Sequence, residues 1–210
     1  HDFNRIKFSL NYKGDQARIQ DDAGLPWSEF VQGTFSAGLE DHFALNDKWS
    51  LVGGVSLDYL NKDIGETTSK LNPLAGIKFH PEDYLDFHLS FSKKSRFPSM
   101  RAMYSDSSGN PDLLSEDGTL WELGFNYNRN FLFSGAVFLT QFKDMIDSVR
   151  LPQFDFVRLY YNIGEAYING FEFQFQKSWD FISGVVNYTY LDHKNETDDR
   201  PLDALSDHNL

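Results

Sequence analysis

The feature that most constrains this chain is a two-residue alternation of apolar and polar side chains that returns in segment after segment. In 120–128, Trp121, Leu123, Phe125 and Tyr127 fall on one face, while Glu122, Gly124, Asn126 and Asn128 fall on the other. Leu85, Phe87, Leu89 and Phe91 oppose Asp86, His88, Ser90 and Ser92, and Phe171, Phe173 and Phe175 oppose Glu172, Gln174 and Gln176. Trp49, Leu51, Gly53, Val55, Leu57 and Tyr59 likewise oppose Ser50, Gly54, Ser56 and Asp58. Period two is the period of a strand. It predicts strands near 3–12, 30–43, 49–60, 72–80, 85–95, 119–128, 131–147, 158–177 and 182–193, and no segment is left that reads as a helix. The expected fold is all-β, an antiparallel meander of about nine strands.

The connections between these strands alternate in length. Short polar turns are read at Asn46-Asp47-Lys48, Pro81-Glu82-Asp83, Asn128-Arg129-Asn130 and Lys177-Ser178-Trp179-Asp180, and longer loops at 13–29, 61–71, 96–118, 150–157 and from 194 onward. Tight turns at one end and long loops at the other are the asymmetry of outer-membrane barrels. A soluble sandwich usually mixes its loop lengths at both ends. The residues entering the strands after the short turns are Trp49, Tyr84, Phe131 and Phe181. Aromatics at one height suit a membrane interface, where amphipathic rings are favoured.

Composition narrows the possibilities further. The chain has 210 residues, enough for one good core. Mean hydropathy is −0.47, and no stretch approaches the roughly 18 apolar residues of a membrane helix. Aromatic residues make up 16%, with 20 Phe, 10 Tyr and 4 Trp, and there is no Cys, which rules out a disulfide scaffold and thiolate metal sites. A net charge of −12 opposes binding to a phosphate backbone, so nucleic acid is not an expected partner. The polar face admits two readings. In a barrel, Glu122, Asn126, Glu172, Gln174 and Gln176 line a wet or plugged lumen; in a β-sandwich they face solvent, and the apolar face packs on a second sheet.

A string of short motifs separates the readings. Arg96-Phe97-Pro98-Ser99, then 110–116 (Asn-Pro-Asp-Leu-Leu-Ser-Glu), Trp121-Glu122-Leu123-Gly124, 142–146 (Phe-Lys-Asp-Met-Ile), Tyr160-Tyr161-Asn162 and 169–173 (Asn-Gly-Phe-Glu-Phe) occur in that order. Order and spacing closely resemble the second half of the barrel of TonB-dependent outer-membrane receptors, with Ser115 standing where the family often has Pro. The resemblance is carried by about the last half of the chain and extends to the first half only in general style. It implies structural roles for Pro98, Pro111, Glu116, Glu122, Gly124, Asn162, Gly170 and Glu172. It also implies a segment of a large transmembrane β-barrel of about 22 strands. In that family the barrel is closed by an N-terminal plug and imports a scarce nutrient such as a ferric siderophore, cobalamin, haem or a sugar. The location implied is the bacterial outer membrane and the partners are outer-membrane lipid, the nutrient and, through the plug, TonB. On this reading residues 1–210 are a partial barrel domain without the plug or the final strands, and no catalytic role or cofactor is expected. A slice of this kind leaves two edges and an apolar face uncovered, so the isolated chain is expected to curl into a smaller sheet or to self-associate. The competing function is a soluble carbohydrate-binding β-sandwich that stacks sugars on Trp27, Trp121 or surface tyrosines.

Candidate ligand contacts cluster in the 96–118 loop: Arg96, Arg101, Tyr104, Asp106, Asn110 and Asp112 carry charge and hydrogen-bonding capacity on a segment held by a rigid scaffold. Against that, Pro98 and Pro111 read as residues that shape the loop itself. Asp21, Asp22, Asp106, Asp112, Asp192, Asp198 and Asp199 offer hard oxygen ligands but match no Ca²⁺-loop spacing. The six histidines, at 1, 42, 80, 88, 193 and 208, lack the spacing of a zinc site, so no metal is expected. Glu122 and Glu172 resemble the carboxylate pair of a glycosidase, but no nucleophile, base or oxyanion element accompanies them.

Overall fold

Every strand hydrogen-bonds to the one before it, so the chain builds a single antiparallel sheet in the order of its sequence. The computed structural model describes residues 4–20, 24–105, 108–151, 157–202 and 205–209. Its strands are β1 (Asn4–Ile19), β2 (Ser28–Ala44), β3 (Trp49–Asn61), β4 (Thr68–Glu82), β5 (Leu85–Arg96), β6 (Glu116–Asn128), β7 (Leu132–Leu151), β8 (Val157–Ser178), β9 (Ser183–Asn195) and β10 (His208–Asn209). They form one 10-stranded sheet in which β1 and β10 are the edges. The meander is therefore as expected, with a short tenth strand added where β10 pairs with Thr189 and Tyr190.

The register explains why alternation alone fixes the two faces. Phe87 lies opposite Phe125, Leu89 opposite Leu123 and Phe91 opposite Trp121; Val137 lies opposite Phe171, which lies opposite Tyr190. A slip of one residue would turn each of these side chains to the other face. Among the described residues no second layer covers this surface: Trp121 is 50% exposed, Leu123 53% and Val137 53%. The two-sheet packing that a sandwich requires is not present among them.

Three strands, β1, β4 and β7, run four or more residues past the segments predicted from hydrophobicity. β1 continues to Ile19 and β2 begins at Ser28, so the loop expected over 13–29 shrinks to 20–27. This extension is held by polar pairs, Lys13 with Asp15 at 2.8 Å and Arg18 with Glu29 at 2.8 Å. β7 and β8 similarly pair with each other out to Leu151 and Val157, whereas β6 accompanies β7 only as far as Lys143 and β9 joins β8 only from Ala166. Residues 145–151 and 157–163 thus form a ribbon of two strands beyond the rest of the sheet.

The best-buried side chains gather at the long-loop end. A short helix, α1 (Met100–Tyr104), is, with β10, an element that periodicity did not predict; Ser99 caps it by accepting from the Ala102 N–H at 3.2 Å. Five residues are too few to show a 3.6-residue period, which is why the segment read as loop. Its Ala102, Met103 and Tyr104 are buried, as are Leu60, Leu113 and Ile163. The Tyr104 ring stacks on Phe30 with centroids 4.5 Å apart. Burying Met103 and Leu113 stabilises the lid of the loop by about 1.5–3 kcal/mol each.

Candidate functional site

The polar face carries connected hydrogen-bond networks. Glu40 on β2 pairs with Lys7 at 3.0 Å and with His42 at 2.5 Å. Asp58 accepts from Asn72 at 2.5 Å, and the single Ser95 hydroxyl proton lies between two acceptors, Oδ1 of Asn72 at 2.8 Å and Oδ1 of Asp117 at 2.7 Å. Asp117 is held in addition by Lys70 at 3.1 Å and Lys93 at 3.2 Å. Groups that are only half exposed keep partners in this way and avoid the cost of unpaired burial.

Glu122 and Glu172 line one polar recess of about 330 Å³ on this face, with His88, Ser134, Gln174 and Asn187 also contributing to it. His88 lies 3.1 Å from the Glu122 carboxylate. Gly124 makes that contact feasible: a Cβ there would stand 2.5 Å from the His88 ring, which crosses β6 directly over the glycine. Gly170 is under a similar constraint, since a Cβ would meet the Tyr190 carbonyl oxygen at 2.2 Å. Sequence reading named both glycines but had no signal for the ring over Gly124.

The 97–115 loop uses most of its polar residues to build itself. The Arg96 guanidinium holds both oxygens of Glu116, Nη2 reaching Oε1 at 2.6 Å, and Oε1 of the buried Glu116 also accepts the Ile146 N–H at 2.6 Å. Asn162 forms a reciprocal amide pair with the Leu114 backbone, accepting at 2.9 Å and donating at 3.1 Å, and also donates to the Asp144 carbonyl at 2.6 Å. Asn110 donates to the Tyr160 carbonyl at 3.3 Å and accepts from the Asp112 N–H at 3.1 Å. Tyr104 is buried, its hydroxyl 3.4 Å from the Ile64 carbonyl. Pro98 is buried and Pro111 exposed.

Of the six ligand candidates, Arg96, Arg101 and Asp112 are exposed, Arg96 being paired with Glu116, while Tyr104 is turned inward and Asn110 is bonded to the Tyr160 carbonyl. Asp106 lies outside the described residues, as do Asp21, Asp22 and His1. Arg101 shares a recess with Arg18, Gln20 and Trp27, where the Arg18 guanidinium sits 5.7 Å from the centre of the Trp27 ring. Among the described residues no three His, Asp or Glu side chains gather as a metal site would need. Asp198 binds Asn195 at 2.8 Å, and Asp199 pairs with Lys194. The Lys194 ammonium donates a hydrogen bond to the Asp199 carboxyl, which lies below its ordinary pKa for that reason. His193 is buried and accepts from the Leu202 N–H at 3.2 Å.

At the short-turn end, rings touch in sequence from Tyr84 to Tyr127 (5.6 Å), Phe131 (4.8 Å) and Phe175 (5.5 Å), and Trp49 stacks on Phe79 at 4.3 Å. Phe181 stands 94% exposed.

A family model of the TonB-dependent receptor-like β-barrel matches residues 2–210. The chain belongs to the TonB-dependent receptor-like β-barrel family. Solved structures of similar shape include the siderophore receptor PirA from Acinetobacter baumannii, with a TM-score of 0.79 and 18% identity over 98% of this chain and 36% of that one. The copper transporter OprC gives 0.78 and 17% over 96% of this chain and 36% of that one. The FrpB iron transporter from Neisseria meningitidis, F3-3 variant, gives 0.73 and 19% over 98% and 35%. At these identities the likeness shows the fold, and the chain spans little more than a third of each structure. No curated protein matches the sequence. Membership in this receptor barrel family accounts for the one-sided apolar surface, the polar opposite face and the unequal loops together.

Proposed function

We propose that this chain is part of the barrel wall of an outer-membrane receptor that takes up a scarce nutrient, a ferric siderophore or cobalamin being the leading classes. The observation that carries this reading is a family-matched single sheet with its Phe- and Trp-rich face uncovered and its charged face internally hydrogen-bonded. In a bilayer the first face meets hydrocarbon and the second a hydrated or plugged lumen. The unpaired edges of β1 and β10 would be completed by further barrel strands. A plug inside the barrel would link it to TonB. Trp49, Tyr84, Phe131 and Phe181 would then sit at the periplasmic interface, and the loops beyond β1, β3, β5, β7 and β9 would face the medium. Arg101 and Asp112, the exposed candidates of the 97–115 loop, would be the ligand contacts. The structures of similar shape are those of iron, siderophore and copper proteins, so the nutrient is the variable to test first.

The test is growth of a strain lacking the gene, on ferric siderophores, cobalamin or copper as the limiting supply. The deletion should abolish use of one of these, and the intact gene should restore it while Arg101→Ala and Asp112→Ala versions restore it poorly. Undiminished uptake of every nutrient in the deletion strain would overturn the reading.

A further inference from the structure

We propose that Glu116 and Asn162 are positioning residues that weld the 97–115 loop to the projecting β7–β8 ribbon, so that the two act as one rigid body at the mouth of the barrel. The ribbon needs such a weld, because an isolated two-stranded ribbon is at best marginally stable in water. The β6–β7 ladder ends at Lys143, and Asp144 takes a left-handed conformation at φ 54°. From there no strand among the described residues pairs with the β7 backbone on its β6 side. Side chains replace the missing strand. Glu116 Oε1 takes the Ile146 N–H, while Asn162, reaching from β8, binds the Asp144 carbonyl and both polar groups of Leu114. The amide plane of Asn162 thus mimics a strand residue by offering Leu114 one acceptor and one donor.

Three further side chains complete the body. Arg96 holds Glu116 in place from β5. Asn110 binds the Tyr160 carbonyl at 3.3 Å. On the opposite flank, Arg200 reaches Asp147 at 3.4 Å and the Tyr161 hydroxyl at 3.5 Å. The ribbon is therefore braced from both sides, and the buried Ala102, Met103 and Leu113 keep the loop from lifting. Arg101 is then presented at a fixed place, and any closure over a ligand has to come from other loops.

The experiment uses the full-length receptor in detergent, with spin labels at Asp112→Cys and Val149→Cys, both exposed. The native background should give one narrow distance distribution. Asn162→Ala combined with Glu116→Ala should broaden it, and Glu116→Gln, which keeps the acceptor for Ile146, should leave it narrow. A reference pair on the wall, Leu51→Cys with Val137→Cys, spans four inter-strand steps, roughly 19 Å, and should stay narrow in every background; this separates loss of the weld from loss of the barrel. Should the double variant fail to fold, hydrogen exchange on the native receptor decides, with the Leu114 and Ile146 amides slowed by at least about tenfold. A broad native distribution, a double variant as narrow as the native protein, or free exchange at both amides would overturn the proposal. None of these readouts depends on which nutrient is carried, so its failure is distinct from failure of the uptake assay.

Discussion

At the scale of single residues, the chain places unusual backbone or missing side chains where another group must pass. Gly124 is the clearest case, because the His88 ring occupies the space where a Cβ would be. Gly124→Ala should push His88 away from Glu122 and destabilise the barrel by about 1–3 kcal/mol. A double-mutant cycle checks the cause: in a His88→Ala background most of that cost should vanish, and an unchanged cost would assign it to the Gly135 carbonyl, which a Cβ would also approach at 3.0 Å. Asp144 is the second case. Its φ of 54° suits Asp, Asn or Gly, so Asp144→Val should cost about 1–2 kcal/mol while Asp144→Gly stays close to native, as read from unfolding in denaturant. A stable Val variant would show that the left-handed conformation at Asp144 is not required.

At the scale of elements, what the sequence made legible was set by where hydrophobicity alternates. Every strand crossing the apolar band was placed by the run of rings and aliphatic chains on one side, as in β6, where Trp121, Leu123 and Phe125 each meet an apolar partner across the ladder. Beyond that band both faces are polar, and the pattern has nothing to report; the upper parts of β1 and β2, held by Lys13–Asp15 and Arg18–Glu29, were therefore read as loop. α1 escaped for a different reason, being a single capped turn stabilised by tertiary burial of Met103 and Tyr104. The motif residues Glu116 and Asn162 were recognised, but their partners, the Ile146 N–H and the Leu114 backbone, lie about 30 and 50 positions away in sequence and no local rule connects them. The two faces also predict opposite tolerance to charge. Val137→Arg on the exposed apolar face should destabilise the full-length protein in a bilayer by roughly 2–4 kcal/mol, whereas Asn126→Arg on the polar face should cost well under about 1 kcal/mol. Equal costs, measured by unfolding in lipid vesicles, would contradict the assignment of lipid to the apolar face.

At the scale of the whole molecule, the sheet is held together almost entirely by neighbour-to-neighbour pairing, and its long-range consequence is an unsatisfied surface. Each strand from β2 to β8 has full ladders on both sides over the apolar band, but β1 offers a bare backbone edge, and Ile6, Phe8, Leu10 and Tyr12 on it are each 60% or more exposed. Water is a poor solvent for that combination, since long apolar edge strands are templates for further pairing. Residues 1–210 expressed alone should accordingly show no monomer in multi-angle light scattering without detergent. Added detergent micelles should shift the population toward small, dispersed species by covering the Phe and Trp face. Intact receptor in vesicles supplies the complementary measurement. Trp121, half exposed on that face, should lose fluorescence to lipids brominated along the acyl chain, and replacing it with Phe should remove that component of the quenching. A stable monomer in plain buffer, together with Trp121 insensitive to brominated chains, would mean that this surface is covered by protein in the native state, and the apolar band would then mark an interface between subunits instead of a boundary with lipid.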